Sequence, residues 1–96
     1  MRLWGLVRKG DKVLRDALTE HEGVLPSDVG NWDALIAELC AALDLAAPVV
    51  LRKHIDDLRV FSHVAFRRDD FLEEVAFDRF ELRILLSERE KKRATE

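Results

Sequence analysis

Two apolar segments, RLWGLVR at residues 2–8 and KVLRDAL at 12–18, are separated only by Lys9, Gly10 and Asp11. So short a break turns the chain back along itself, and glycine supplies the positive φ that such a turn needs. The pair reads as a β-hairpin. Successive side chains of a strand point to opposite faces, and both faces are apolar here. Leu3 and Val7 oppose Trp4 and Leu6, and then Val13 and Ala17 oppose Leu14 and Leu18. A sheet covered at least in part on both sides is implied.

Residues 19–30 (TEHEGVLPSDVG) collect glycine, proline, serine and aspartate, which favour loops, and form the long connection. Over residues 31–45 the apolar positions Trp32, Leu35, Ile36, Leu39, Cys40 and Leu43 recur at helical spacing. Asn31 suits the cap, Asp33 suits the positive end of the dipole, and Pro48 bars continuation. PVVL at 48–51 reads as a short strand, and Ile55, Leu58 and Phe61 suit one or two helical turns. Near the end, Phe80, Leu82, Ile84 and Leu86 alternate with Arg79, Glu81 and Arg83, the period of a strand with one buried and one wet face. The remainder, SEREKKRATE, either frays or extends as a solvated helix.

These elements predict an α+β fold, a small two-layer sandwich in which the N-terminal hairpin and a C-terminal strand form an antiparallel sheet packed on one main helix. Residues 1–86 form the single domain and 87–96 a polar C-terminal tail. Strand 2–8, apolar on both faces, belongs in the middle, with 12–18 on one side and 78–86 on the other. At 96 residues the chain holds one core, and a ligand pocket of about 300 Å³ would take much of its interior. Any site is therefore shallow or shared between subunits.

A formal net charge of −3 with mixed signs supplies no broad basic field and argues against nucleic acid as a partner. With one cysteine, no apolar h-region near the start and no apolar run of 18 residues, the expectation is a cytoplasmic protein with no membrane span.

The chemistry-bearing residues are few. The phenylalanines at 61, 66, 71, 77 and 80 fit no single period and read as anchors of an irregular segment. Each buried aromatic there contributes about 2 to 3 kcal/mol against the entropy of ordering the loop. Asp69, Asp70, Glu73 and Glu74 follow Arg67 and Arg68 and read as a solvated charged surface. Cys40 lies on the apolar stripe of the helix, where a desolvated thiol is inert. No nucleophile elbow, phosphate loop or cofactor motif is present. His54 and Asp57 share a helical face and His63 is a plausible third ligand, so the enzymatic alternative is a metal-dependent or acid/base site using His54, Asp57, His63 and the acids at 69–74. In the tail, Lys91, Lys92 and Arg93 are interleaved with Glu88, Glu90 and Glu96, a weak basis for nucleic-acid binding.

Leu3-Trp4-Gly5, Cys40, Leu43-Asp44-Leu45, Pro48, Leu51, Phe61, Phe66, Asp70-Phe71, Phe77-Asp78 and Glu81 together carry a resemblance. Across most of residues 3–84 the chain resembles a family of small uncharacterised bacterial proteins, mainly of Firmicutes. The resemblance implies a compact bacterial domain and no catalytic residue. The expectation for function is a non-catalytic protein-interaction module, with a protein partner or a second copy docking around Trp4 and Leu6 or along an exposed edge strand.

Overall fold

The computed structural model describes residues 1–95. Its elements in chain order are β1 (Arg2–Lys9), β2 (Lys12–Glu20), α1 (Trp32–Ala42), α2 (Arg52–Phe61), β3 (His63–Arg67), β4 (Arg79–Leu85) and α3 (Glu88–Thr95). The strands form one antiparallel sheet in the order β2-β1-β4-β3. The hairpin, the central position of β1 and the α+β class match the sequence reading.

The sheet's inner face is set by register. Val7, Phe80 and Phe66 form one cross-strand row, Gly5, Leu82 and Val64 a second, and Leu3 pairs with Ile84. Every one of these side chains but glycine belongs to the buried core, which Ile36, Leu39 and Cys40 of α1 and Leu58 of α2 complete. Gly5 is the point of closest approach: a Cβ there would lie 2.9 Å from Leu39 Cδ2 and 2.9 Å from Phe80 Cε1. The absent side chain lets α1 settle onto the middle of the sheet.

The turn is built as its residues require. Gly10 has φ +59, and its amide donates to Asp78 Oδ2 at 2.6 Å while the Asp78 amide donates to the Arg8 carbonyl at 2.9 Å. The hairpin tip is thereby strapped to the segment that leads into β4. Asn31 caps α1 by accepting from the Ala34 amide, at 3.4 Å. The helix stops at Ala42 because Asp44 turns left-handed, at φ 57, and the Leu45 amide returns to the Cys40 carbonyl at 2.8 Å.

Three expectations are corrected. First, residues 48–51 form no strand. They lie between two helices, and Val49 makes a single backbone bond to the Asp70 carbonyl at 2.7 Å. Second, the segment after Phe61 is not wholly irregular. His63–Arg67 adds a fourth strand, with Val64 and Phe66 turned to the core, and α2 before it runs ten residues rather than one or two turns. The sheet therefore has two helices on its inner face instead of one.

Third, of its two expected forms the tail takes the solvated helix, from Glu88 to Thr95, but it is anchored through Glu90. Its Glu90 carboxylate is paired with the Met1 ammonium and accepts from the amides of Gly23, at 3.1 Å, and Ser87, at 2.9 Å. Arg93 donates to the Gly23 carbonyl at 2.5 Å. Residue 96 of the tail lies outside the described residues.

Adding a methyl at the β1–α1 contact forces Leu39 or the Phe80 ring to move, so Gly5→Ala is expected to lower stability by about 1–3 kcal/mol. Urea unfolding measures the loss. In a Leu39→Ala background the same methyl enters vacated space, and the two costs fall short of additivity.

The Glu90 clasp has a pH signature. The Met1 ammonium first, then the bonds from Ser87 and Gly23, bring its carboxyl down from 4.5 to about 2. Between those values the unfolded chain binds more protons than the folded one, so stability rises with pH through this window. The contribution is complete above pH 4.5 and is lost as pH falls towards 2. Thermal melts between pH 5 and pH 2 are expected to show a falling Tm, part of which Glu90→Gln abolishes.

Candidate functional site

The other face of the sheet carries Trp4, and register again orders it into rows. Leu18, Trp4, Arg83 and His63 form one, Asp16, Leu6, Glu81 and Ala65 the next, and Val13, Arg8, Arg79 and Arg67 the third. Glu20, Arg2 and Leu85 make a row at the opposite end, where Arg89 and Arg93 of α3 line the same hollow as Arg2 and Glu20. The helices α1 and α2 meet the sheet from its inner side, through Leu39 over Gly5 and through His54 against Phe66.

Leu6 is only 2% exposed although it points away from the helices. Two diagonal contacts close over it. The Trp4 indole N–H donates to Asp16 Oδ2 at 2.8 Å, and the Arg8 guanidinium pairs with Glu81. Asp16 and Glu81 are the residues opposite Leu6 on β2 and β4. Each diagonal runs from a neighbour of Leu6 along β1 to a partner of Leu6 across the sheet, so polar and aromatic groups form a roof over one apolar side chain. Trp4 itself is partly exposed, and the Arg83 guanidinium lies 5.5 Å from its ring centroid. A cation over an indole contributes about 0.5–1 kcal/mol at an exposed site.

Glu81 is the hub of the charges. Besides Arg8 it meets Arg79 Nε at 3.3 Å and Arg83 Nη2 at 3.5 Å. Partial burial acts to raise its carboxyl, and the charges of Arg8, Arg79 and Arg83 outweigh that and leave it below the ordinary carboxylate value. Asp16 needs no cation, since the indole N–H holds it.

The metal candidates His54, Asp57 and His63 line one hollow of about 290 Å³ with Lys53, Arg67 and Asp70. That lies at the lower end of small-molecule pockets. Proximity does not make them a ligand set. His54 is 2% exposed, its Nδ1 accepts the Leu51 amide at 2.9 Å, and its Nε2 faces Asp70 Oδ2 at 3.5 Å. With Nδ1 accepting, the ring proton sits on Nε2, towards the carboxylate. Both nitrogens are thus committed to holding the start of α2 against the turn after β3. His63 stands exposed at the head of β3 with Nδ1 3.1 Å from the Phe61 carbonyl. Among the described residues, no three His, Cys, Asp or Glu side chains are grouped to hold a metal ion.

The remaining reactive groups lie apart. Asp70 accepts from the Arg67 amide at 2.8 Å, and Asp69, Glu73 and Glu74 are exposed. The Cys40 thiol is fully buried, and desolvation pushes it up to about 11. At neutral pH it is a thiol rather than a nucleophilic thiolate. Trp4 and Leu6 were legible as an apolar pair on the far face of β1, but the expected docking around both meets only Trp4, because Leu6 is already sealed beneath its neighbours. The roof of Arg8, Asp16 and Glu81 was not legible, although the alternation of Arg79, Glu81 and Arg83 marked a wet face.

Comparison with family models, with curated proteins and with solved structures finds no match for this chain. Among the described residues, no helix is long and apolar enough to cross a membrane.

Replacing His54 by alanine removes the acceptor of the Leu51 amide and the ring that lies 4.5 Å from Phe66. A loss of about 2–4 kcal/mol is expected. Adding zinc or manganese to the unmodified protein is expected to leave Tm unchanged. A metal-induced rise in Tm that His54→Ala and His63→Ala both erase would restore the metal site.

Proposed function

We propose that this chain is a non-catalytic interaction module whose working surface is the outer face of its sheet. The observation that carries the reading is Trp4. It sits on the central strand, fixed by its bond to Asp16 and flanked by Arg83 and by Leu18, which is 52% exposed. Tryptophan and arginine are the residue types that most often anchor macromolecular contacts. A ring held on a rigid strand loses little entropy on docking, which favours binding over catalysis as its use.

The chemistry elsewhere agrees with this choice. A catalytic reading needs a nucleophile or base within hydrogen-bond reach of a substrate, whereas His54 is spent on an amide and Cys40 on the core. A protein, a second copy or a polyanion would meet the same face, so the reading rests on the surface rather than on one partner.

Trp4→Asp places a carboxylate beside Asp16 and removes the indole. Tagged wild-type chain recovered from lysate of its native host is expected to retain a stoichiometric companion, or to be dimeric by light scattering, and Trp4→Asp is expected to lose it while keeping its helical circular dichroism. Identical companions and mass for both proteins would overturn the reading.

A further inference from the structure

Resting on the outer face as the working surface, we infer that its partner is single-stranded nucleic acid, with bases stacking along Trp4, Arg83 and His63 and phosphates held by Arg79 and Arg67. The chain is acidic overall, at −3, yet the fold sorts its charges. The outer rows bring together Arg2, Arg8, Arg67, Arg79 and Arg83, against the carboxylates of Asp16, Glu20 and Glu81. Five cations against three anions leave a surplus of two on a face that belongs to a net anion. Every permanent cation in those rows is an arginine. The guanidinium fork matches phosphate oxygens and stacks on flat rings, which an ammonium does less well.

The planar groups follow the strands. Trp4 pairs with Arg83 and Arg83 with His63, so an indole, a guanidinium and an imidazole lie in one row. Phe61, 61% exposed, extends it with its ring 6.1 Å from that of His63. Neighbouring strands lie about 4.8 Å apart, so the row from Trp4 to His63 is about 10 Å long. That length leaves room for two or three unstacked bases. The arginine row lies four residues away along the strands, within reach of extended guanidinium side chains.

The surface favours this partner over a protein and over a duplex. At the middle of the outer face Leu6 is roofed over, and the exposed apolar side chains Val13 and Leu18 both stand on the edge strand, so a protein would find its apolar contacts at one margin rather than at the centre. Duplex is disfavoured as well, since flat groups on a sheet stack only on bases already exposed.

The test is fluorescence anisotropy of labelled twelve-nucleotide oligo-dT and oligo-rU, and of a duplex of equal length, titrated with the full chain at about 50 mM and about 200 mM salt. Saturable binding of the single strands, weaker at the higher salt and stronger than to duplex, is expected. Trp4→Ala is expected to weaken it about tenfold or more. Arg67→Gln, on the exposed edge strand, is expected to reduce the salt slope by about one. Tryptophan emission should be quenched by the oligonucleotide, and the signal is Trp4's because Trp32 is 2% exposed.

Absence of binding at 50 mM salt would overturn the inference, as would equal affinity for duplex or indifference to both substitutions. Equal displacement by poly-glutamate would also overturn it, by exposing a surface for any acidic polymer. If the oligonucleotides fail while Trp4→Asp still releases a companion from lysate, the interaction module stands with a different partner. If Trp4→Asp releases nothing either, both readings fall.

Discussion

Strand β1 has a buried leucine to cover on each face of the sheet, Leu3 on one and Leu6 on the other, and the chain provides helices for only one of them. On the inner side β1 solves this by omission, since Gly5 leaves room for Leu39 and the ring of Phe80 to close within van der Waals distance. On the outer side it solves it by bridging. Trp4 reaches to Asp16 and Arg8 to Glu81, and Leu6 is sealed beneath them. Burying a leucine side chain contributes about 1.5–3 kcal/mol, a substantial part of the stability of a domain this small. The outer roof is therefore part of the fold and not an ornament on it.

This division explains which parts of the structure were legible in the sequence. The hairpin was readable because Gly10 falls between two apolar segments with no room for anything but a turn, and β4 because its alternation runs uninterrupted from Phe80 to Ile84. α1 was readable from six apolar positions at one spacing. β3 was not, because only Val64 and Phe66 carry its inward face, and the exposed Ala65 between them blurs the alternation. The apolar run at 48–51 misled for the opposite reason. Valine and leucine favour strands, yet a linker between two helices on one face of the sheet finds no strand edge to pair with, so position overrode propensity.

The same logic holds for the titratable groups. His54, Asp57 and His63 do come close enough to line one hollow, so their helical spacing carried real information about proximity. It carried none about the Leu51 amide or the Asp70 carboxylate, which come from the helix start and from the turn after β3. Glu90 is a comparable case. Within a run of alternating charges it looks solvated, and only the fold brings the Met1 ammonium and the Gly23 amide to it from distant parts of the chain. Local sequence reports what a side chain can do, and tertiary contacts decide whether that capacity is already used.

Net charge is subject to the same limit. An overall −3 describes how the whole chain behaves at a distance, but contact with a partner samples one face, and antiparallel register decides which residues share it. Glu81 makes the point locally. One arginine is enough to neutralise it and to bridge over Leu6, and Arg8 does both. Arg79 and Arg83 lean towards the same carboxylate while remaining 50% and 42% exposed at the side chain. Exposed pairs of that kind contribute about 0–1 kcal/mol, too little to make either arginine necessary to the roof. Folding alone therefore accounts for Arg8, whereas Arg79 and Arg83 keep about half of their side-chain surface free of the roof.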